Sequence, residues 1–134
     1  MTTRRPTAIH HVQLAMPAGR EDEADAFYGG VLGMRPIPKP PELEPRGGRW
    51  FRAGGFDVHL GVEEPFAPAR KAHPAFLVED LDAARAALET AGFDIVEDVR
   101  LDGFARFYTS DPFGNRIEIL ARHATRRSGR RPRG

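Results

Sequence analysis

The chain has 134 residues, with 20 Lys and Arg against 19 Asp and Glu, five His and no Cys. A chain of this length forms one compact domain or two small units that share a core. The lack of Cys excludes disulfides, thiolate metal sites and cysteine nucleophiles. Because the sequence has neither an apolar run long enough to cross a membrane nor the apolar region of a secretory signal, we expect a soluble, cytoplasmic protein.

The charge is unevenly distributed, although its formal sum is only +1. Residues 122–134 contain six Arg and no acidic residue, which leaves 14 basic and 19 acidic residues in the rest of the chain. A basic tail on an acidic body is one way to bind nucleic acid. This tail has no aromatic side chain for base stacking and no large apolar residue to bury, so we interpret it as a solvated, disordered end.

The first half of the chain predicts a strand, a helix and two further strands. Apolar and polar residues alternate in the first strand, and the apolar residues from Ala24 to Leu32 have helical spacing that Gly33 ends. Five prolines and two glycines predict a loop after the helix, and Gly54-Gly55 predicts a hairpin turn. The predicted elements are a strand at 11–16, a helix at 21–32, a loop at 36–48 and strands at 50–53 and 56–62.

The second half repeats this order after a linker at 63–72. Asp80 is suited to cap the helix that follows the first strand, and Gly92 ends that helix. Asp111-Pro-Phe-Gly114 has the residues that a type I turn prefers. The predicted elements are a strand at 73–78, a helix at 81–91 and strands at 94–99, 106–109 and 115–121.

The two halves also resemble each other residue by residue, which indicates an internal repeat. His11 corresponds to His73, Phe51 to Phe107, and Val58-His59-Leu60 to Ile117-Glu118-Ile119. We therefore predict an α+β protein, one domain of two βαβββ modules at 9–62 and 73–121 followed by the tail at 122–134. Each module leaves one sheet face without a helix, and we expect these two faces to form a shared cleft.

Strand alternation assigns four chemically useful side chains to the face without a helix: His11, His59, His73 and Glu118. Imidazole and carboxylate donors on separate strands suit one divalent ion, whether Zn, Ni, Fe(II), Mn or Co. The alternative is that these residues line a cleft without sharing a ligand. For His10 and His123 we prefer this alternative.

The same alternation assigns five further residues to the cleft. Aromatic walls with guanidinium groups suit a planar or apolar substrate that carries an anionic or carbonyl group. Alternatively, the aromatic residues fill space between the modules, and the Arg side chains pair with Asp57 or another acid. The predicted substrate-binding residues are Gln13, Trp50, Arg52, Arg106 and Tyr108.

Four segments carry a family resemblance over about residues 9–121. They are His11-Val-Gln-Leu-Ala, Phe27-Tyr-Gly-Gly-Val-Leu-Gly33, His73-Pro-Ala-Phe-Leu-Val-Glu-Asp80-Leu-Asp and Asp111-Pro-Phe-Gly-Asn-Arg-Ile-Glu-Ile. With these segments the chain resembles the vicinal oxygen chelate superfamily, which includes glyoxalase I, fosfomycin- and bleomycin-resistance proteins and extradiol dioxygenases.

The resemblance implies metal ligands, because the first His of each module and the Glu of the last strand bind the ion in metal-using members. These positions match His11, His73 and Glu118. Glyoxalase I has a further ligand, Glu, on the fourth strand of the first module, and here that position is His59. Either Glu118 or His59 would then act as the base, since a neutral imidazole suits proton transfer near neutral pH.

The resemblance implies a divalent-metal-dependent enzyme that acts on a small substrate with vicinal oxygens, as a glyoxalase-like lyase or isomerase. The first alternative is an Fe(II) extradiol-type dioxygenase, for which His11, His73 and Glu118 form the two-His, one-carboxylate set. The second is a metal-free protein that binds or sequesters small molecules. We expect a homodimer with neither membrane nor nucleic acid as a partner, and the sequence leaves open whether the ligands come from one chain or two.

Overall fold

The computed structural model describes residues 3–123 as two compact units that divide between Pro68 and Ala69. Each unit contains one four-stranded sheet, and this confirms the predicted α+β fold class. The elements of the first unit are β1 (His11–Met16), α1 (Glu21–Ala24) continued by a π-helix (Asp25–Val31), β2 (Arg35–Ile37), a 3₁₀ turn (Glu44–Arg46), β3 (Arg49–Ala53) and β4 (Phe56–Val62).

The second unit repeats this order of strands around a single α-helix. They are β5 (Ala75–Leu77), α2 (Leu81–Thr90), β6 (Val96–Glu97), β7 (Phe104–Ser110) and β8 (Arg116–Arg122). As predicted, Asp80 caps α2, because its carboxylate accepts a hydrogen bond from the Ala83 backbone N–H at 3.0 Å. Among residues 3–123, no helix is long and apolar enough to cross a membrane.

The two sheets have equivalent topologies, with strand orders β1-β4-β3-β2 and β5-β8-β7-β6. In each, the first strand runs parallel to the last, and the remaining pairs are antiparallel. Gln13 pairs with His59 and Ala75 with Glu118, so the register makes His59 equivalent to Glu118, as the repeat predicted.

One predicted correspondence of the repeat is wrong. Phe51 pairs with Val58, whereas the residue equivalent to Val58, which is Ile117, pairs with Thr109. Phe51 therefore corresponds to Thr109 and not to Phe107. Both phenylalanines are fully buried, but they occupy different positions in the two sheets.

The predicted loop at 36–48 was wrong at its start, where β2 pairs with β3. Pro36 led to the loop prediction because proline disfavours strands: it has no backbone N–H to donate to a neighbouring strand. β2 is an edge strand with one neighbour, and an edge position tolerates proline.

Other strand boundaries also differ from the prediction. β5 and β6 are shorter than the predicted strands at 73–78 and 94–99. β8 includes Arg122, and the backbone N–H of His123 donates to the Gly103 carbonyl at 3.0 Å. The predicted tail therefore began too early, and its remaining part, 124–134, lies outside the described residues.

Each unit buries the helical face of its sheet. In the first unit, the Tyr28 ring lies 5.6 Å from the Phe51 ring, and in the second, the Arg85 guanidinium of α2 lies 4.9 Å above the Phe107 ring. Burial of these apolar faces leaves the opposite faces for polar side chains. The most buried large side chains include Met16, Phe27, Tyr28, Phe51, Val58 and Leu60 in the first unit, and Leu88, Phe107, Ile117 and Ile119 in the second.

Candidate active site

The polar face of the first sheet carries two neighbouring rows of side chains. The strand register aligns His11, Asp57, Arg52 and Arg35 in the first row. It aligns Gln13, His59, Trp50 and Ile37 in the second. Because side chains alternate along each strand, the two rows share one face.

Three rings form a continuous stack on this face. The His11 and His59 rings lie 4.2 Å apart with an interplanar angle of 16°, and the His59 and Trp50 rings lie 3.9 Å apart at 3°. A cavity of about 750 Å³ opens beside the stack. Most residues of both rows line this cavity, together with His10 and the segment 38–40.

His59 is the most unusual polar residue of the first unit. It is buried, and its Nε2 has no hydrogen-bond partner in the described part of the chain. A buried polar atom without a partner is uncommon in folded proteins and requires an explanation. Burial, followed by the nearby charge of His11, lowers the pKa of His59, so the imidazole is neutral at neutral pH.

His10 contacts one of the predicted ligands. Its Nδ1 lies 3.0 Å from the Nδ1 of His11, so one ring donates and the other accepts a hydrogen bond. When His11 donates from Nδ1, its Nε2 is free to bind a metal ion. We predicted no ligand role for His10, and this contact instead lets it set the tautomer of His11, a predicted ligand.

Arg52 forms a two-pronged ion pair with Asp57. Its Nε and Nη2 donate to the two carboxylate oxygens at 2.7 and 3.0 Å. These hydrogen bonds hold the pKa of Asp57 below its usual value. The main contact of Arg52 is therefore with Asp57, which was the alternative to a contact with the substrate.

In the second unit, Glu118 is buried and both of its carboxylate oxygens have partners. Oε1 lies 3.1 Å from His73 Nε2, and Oε2 accepts a hydrogen bond from Arg106 Nη1 at 3.3 Å. Tyr108 pairs with Glu118 across the strands and thus lies on the same face. The second unit therefore brings together four of the predicted site residues.

The contact between His73 and Glu118 is chemically informative. His73 Nδ1 lies 2.9 Å from the Lys71 carbonyl oxygen, which can only accept, so Nδ1 must carry the proton. In a neutral imidazole, Nε2 then has a lone pair and faces a carboxylate oxygen that also accepts. Two acceptors cannot form a hydrogen bond with each other, so a cation must lie between them. This cation is either a proton, which makes an imidazolium, or a metal ion that both atoms bind.

Arg106 has most of its donors satisfied within the second unit. Besides Glu118, it donates to the Val99 carbonyl and the Tyr108 hydroxyl, each at 2.8 Å, and lies 3.5 Å from Asp98. We predicted a substrate contact for Arg106, but these bonds are suited to holding Glu118 in place. The Tyr108 ring is also covered by the Arg116 guanidinium, 4.0 Å from its centroid.

Within the described residues, no group of three or more His, Asp or Glu side chains could hold a metal ion. The structure does group His11 with His59, and His73 with Glu118. Arg35 and Ile37 also line the cavity of the first unit, although neither was a predicted site residue, because the predicted loop at 36–48 covers most of β2. No local pattern marks this strand, because Arg35 and Ile37, which share one face, differ in polarity.

Known proteins share this architecture. Residues 8–119 match the model of the Glyoxalase/Bleomycin resistance protein/Dioxygenase superfamily. Glyoxylase I 4 from Arabidopsis thaliana is 30% identical over 124 residues, which cover 84% of this chain and 70% of that protein. A glyoxalase family protein from Bacillus anthracis is 47% identical with a TM-score of 0.86, and the match covers 91% of this chain and all of that one.

A more distant structure is lactoylglutathione lyase from Agrobacterium tumefaciens, which is 25% identical with a TM-score of 0.66. The match covers 88% of this chain and 96% of that one. The family model covers most of the chain, and the structural matches reproduce both units. The chain therefore belongs to the Glyoxalase/Bleomycin resistance protein/Dioxygenase superfamily.

Proposed function

We propose that this protein is a divalent-metal-dependent enzyme that moves a proton on a small substrate with vicinal oxygens, as a glyoxalase-like isomerase or lyase. The observation that carries the proposal is the buried Nε2 of His59, which has no partner in residues 3–123 and belongs to a residue that lines a cavity. The names of two relatives, Glyoxylase I 4 and lactoylglutathione lyase, support the same class of reaction.

Imidazole nitrogens and carboxylate oxygens are donors whose chemistry suits a divalent ion. His11, His73 and Glu118 are the ligands that the sequence predicts, and His59 is the predicted fourth. The two acceptors of His73 and Glu118 face each other at 3.1 Å, which favours a shared cation. When bound, a divalent ion supplies Lewis acidity that polarises the substrate oxygens and acidifies the adjacent C–H bond.

Of the two candidate bases, His59 is better suited than Glu118 to accept the substrate proton. Glu118 is already engaged by His73 and Arg106, whereas Nε2 of His59 is free and its ring is neutral at neutral pH. His59 would take the proton at Nε2 and return it to the neighbouring carbon. Trp50, stacked on His59, limits the access of water to this atom.

The first test measures metal binding to protein freed of metal by a chelator. We expect the parent to bind Zn, Ni, Mn, Co or Fe(II), and Glu118→Gln to reduce the affinity at least about tenfold, because it removes a charge that offsets the cation. His59→Gln separates its two predicted roles. A base leaves the affinity unchanged while turnover of a hemithioacetal falls about 100-fold or more, and a ligand lowers the affinity itself.

Two control variants complete this experiment. His123→Ala removes an imidazole without a predicted ligand role and should bind metal as the parent does. Ile119→Ala, next to Glu118 but in the core, should cost about 2 to 5 kcal/mol of stability without changing metal affinity. A parent that binds none of these ions contradicts the proposal and favours the metal-free binding protein, while O₂ uptake with a catechol and Fe(II) favours the dioxygenase.

A further inference from the structure

Four contacts fix the Arg106 side chain in the second unit. Its Nε donates to the Val99 carbonyl oxygen and its Nη1 to the Tyr108 hydroxyl, each at 2.8 Å. Its Nη2 lies 3.5 Å from an Asp98 carboxylate oxygen, and its Nη1 also donates to Glu118 Oε2 at 3.3 Å. The Arg106 side chain is 10% exposed, and its guanidinium cannot turn away from Glu118 without losing the other partners.

The two oxygens of the Glu118 carboxylate therefore have different surroundings. Oε1 lies 3.1 Å from His73 Nε2, a nitrogen that has a lone pair in the neutral imidazole. Oε2 instead faces the positive charge of Arg106. Because Glu118 is buried, water screens neither contact well.

The separation of His73 and Glu118 matches the distance between two ligands of one metal ion. Nitrogen and oxygen ligands lie about 2.0 to 2.2 Å from a bound zinc ion. Two such ligands at a tetrahedral or octahedral angle are then roughly 2.8 to 3.5 Å apart. His73 Nε2 and Glu118 Oε1 are 3.1 Å apart, so both atoms can bind one ion at their present separation.

Oε2 of Glu118 is poorly placed to join Oε1 as a second ligand. A carboxylate that binds through both oxygens holds the ion nearly equidistant from them. In Glu118 this would bring a divalent cation toward the Arg106 guanidinium and compete with the hydrogen bond to Oε2. Two cations at such short range repel strongly where water is largely excluded. Arg106 cannot retreat, because Val99 and Tyr108 hold it.

We propose that Arg106 is a positioning residue that limits Glu118 to one metal-binding oxygen, Oε1. A carboxylate bound through one oxygen occupies one coordination position of the ion, whereas a carboxylate bound through both occupies two. The position that Arg106 keeps open is available to an oxygen of the substrate, which a substrate that chelates the ion through two oxygens requires. This inference deepens the proposed function and rests on it.

Infrared difference spectra of the full chain, zinc-loaded minus metal-free, distinguish the two binding modes. Binding through one oxygen makes the two C–O bonds unequal and separates the two carboxylate stretching bands widely, whereas binding through both keeps the bands close. The parent should show the wide separation, and loss of these bands in Glu118→Gln assigns them to this residue. Arg106→Met should show the narrow separation and bind zinc about tenfold more tightly, because it removes a nearby positive charge. Arg106→Lys keeps that charge and should retain the wide separation.

Arg100→Met is the matched control, because it removes the same charge at an exposed position of the second unit. It should keep the band separation and the zinc affinity of the parent. If Arg106 only supported the fold, Arg106→Met would keep the wide separation and bind zinc more weakly, since Glu118 would lose its support.

That result, or an equal gain of affinity in Arg100→Met and Arg106→Met, would overturn the inference. A narrow separation in the parent would also overturn it, and the parent spectrum provides this test whether or not Arg106→Met folds. A parent that binds no divalent ion contradicts the proposed function itself, whereas zinc bound through both oxygens of Glu118 contradicts this inference alone.

Discussion

His59 combines three features that set it apart from a surface histidine. It is 6% exposed, its Nε2 is unpartnered within residues 3–123, and its ring lies between two other rings. Each feature disfavours the charged imidazolium or leaves the neutral ring free to accept a proton. A buried polar atom without a partner lowers stability unless a ligand satisfies it, and such groups are typical of active sites.

The lowered pKa of His59 predicts how stability depends on pH. In metal-free protein, the unfolded chain takes up this proton near pH 6.5, before the folded chain does. The contribution of His59 is therefore constant above about pH 6.5, and the free energy of unfolding falls as the pH decreases below that value. Urea unfolding at about pH 7.5 and about pH 5.5 measures the loss.

His59→Phe is the comparison variant, because it keeps a ring in the stack but cannot titrate. The other histidines contribute to both proteins, so the difference in pH dependence belongs to His59. We expect a smaller loss of stability on acidification in the variant. An identical loss in both proteins would show that folding leaves the pKa of His59 unchanged.

At the scale of single elements, β3 depends on the glycine that precedes it. Gly48 has a φ of +88°, and a Cβ at this position would lie 2.0 Å from the Leu60 backbone carbonyl oxygen of β4. Its N–H also donates to Glu21 at 3.0 Å and lowers the pKa of that carboxyl. The close approach of β3 to β4, which aligns Trp50 with His59, therefore requires glycine here.

Gly48→Ala should destabilise the protein more than Gly33→Ala. Gly33 also has a positive φ, of +73°, but a Cβ there would meet nothing within 4 Å. We expect Gly33→Ala to cost about 1 to 2 kcal/mol from the backbone conformation alone. Gly48→Ala should cost more and shift the Trp50 emission to longer wavelength, as urea unfolding and fluorescence would show. Equal costs would mean that the backbone clash relaxes freely.

At the scale of the whole molecule, every strand pair in residues 3–123 forms within one unit. The first sheet uses residues from 11 to 62 and the second uses residues from 75 to 122. The connection between Pro68 and Ala69 therefore carries no strand pairing. Connections of this kind tolerate insertions, because an added loop breaks no backbone hydrogen bond of either sheet.

A short Gly-Ser insertion after Pro68 should leave the amide exchange of both sheets unchanged, with Val58 and Ile117 as slowly exchanging reporters in the two cores. The same insertion after Ile119, in the middle of β8, shifts the register of the residues that follow and breaks their pairing with β5 and β7. It should abolish protection in the second sheet. Loss of protection at Val58 or Ile117 after the first insertion would contradict the separation of the two sheets.

The sequence by itself determined which side chains share a strand face, since alternation is a local property of the chain. It identified the helix cap at Asp80, the turn at Asp111, the family, and the polar faces of β4 and β8 that carry His59 and Glu118. It failed at β2, because whether Pro36 is tolerated depends on the strand lying at a sheet edge.

Only the tertiary structure decided the partners of these side chains. Arg52 and Arg106 carry the same charge and were assigned the same role, yet one pairs with Asp57 and the other holds Glu118. Alternation specifies the direction of a side chain, whereas its partner depends on strands that are distant in the sequence. The row of Arg35, Arg52, Asp57 and His11 exists because β1 pairs with β4 across about 45 residues, and no local pattern encodes that pairing.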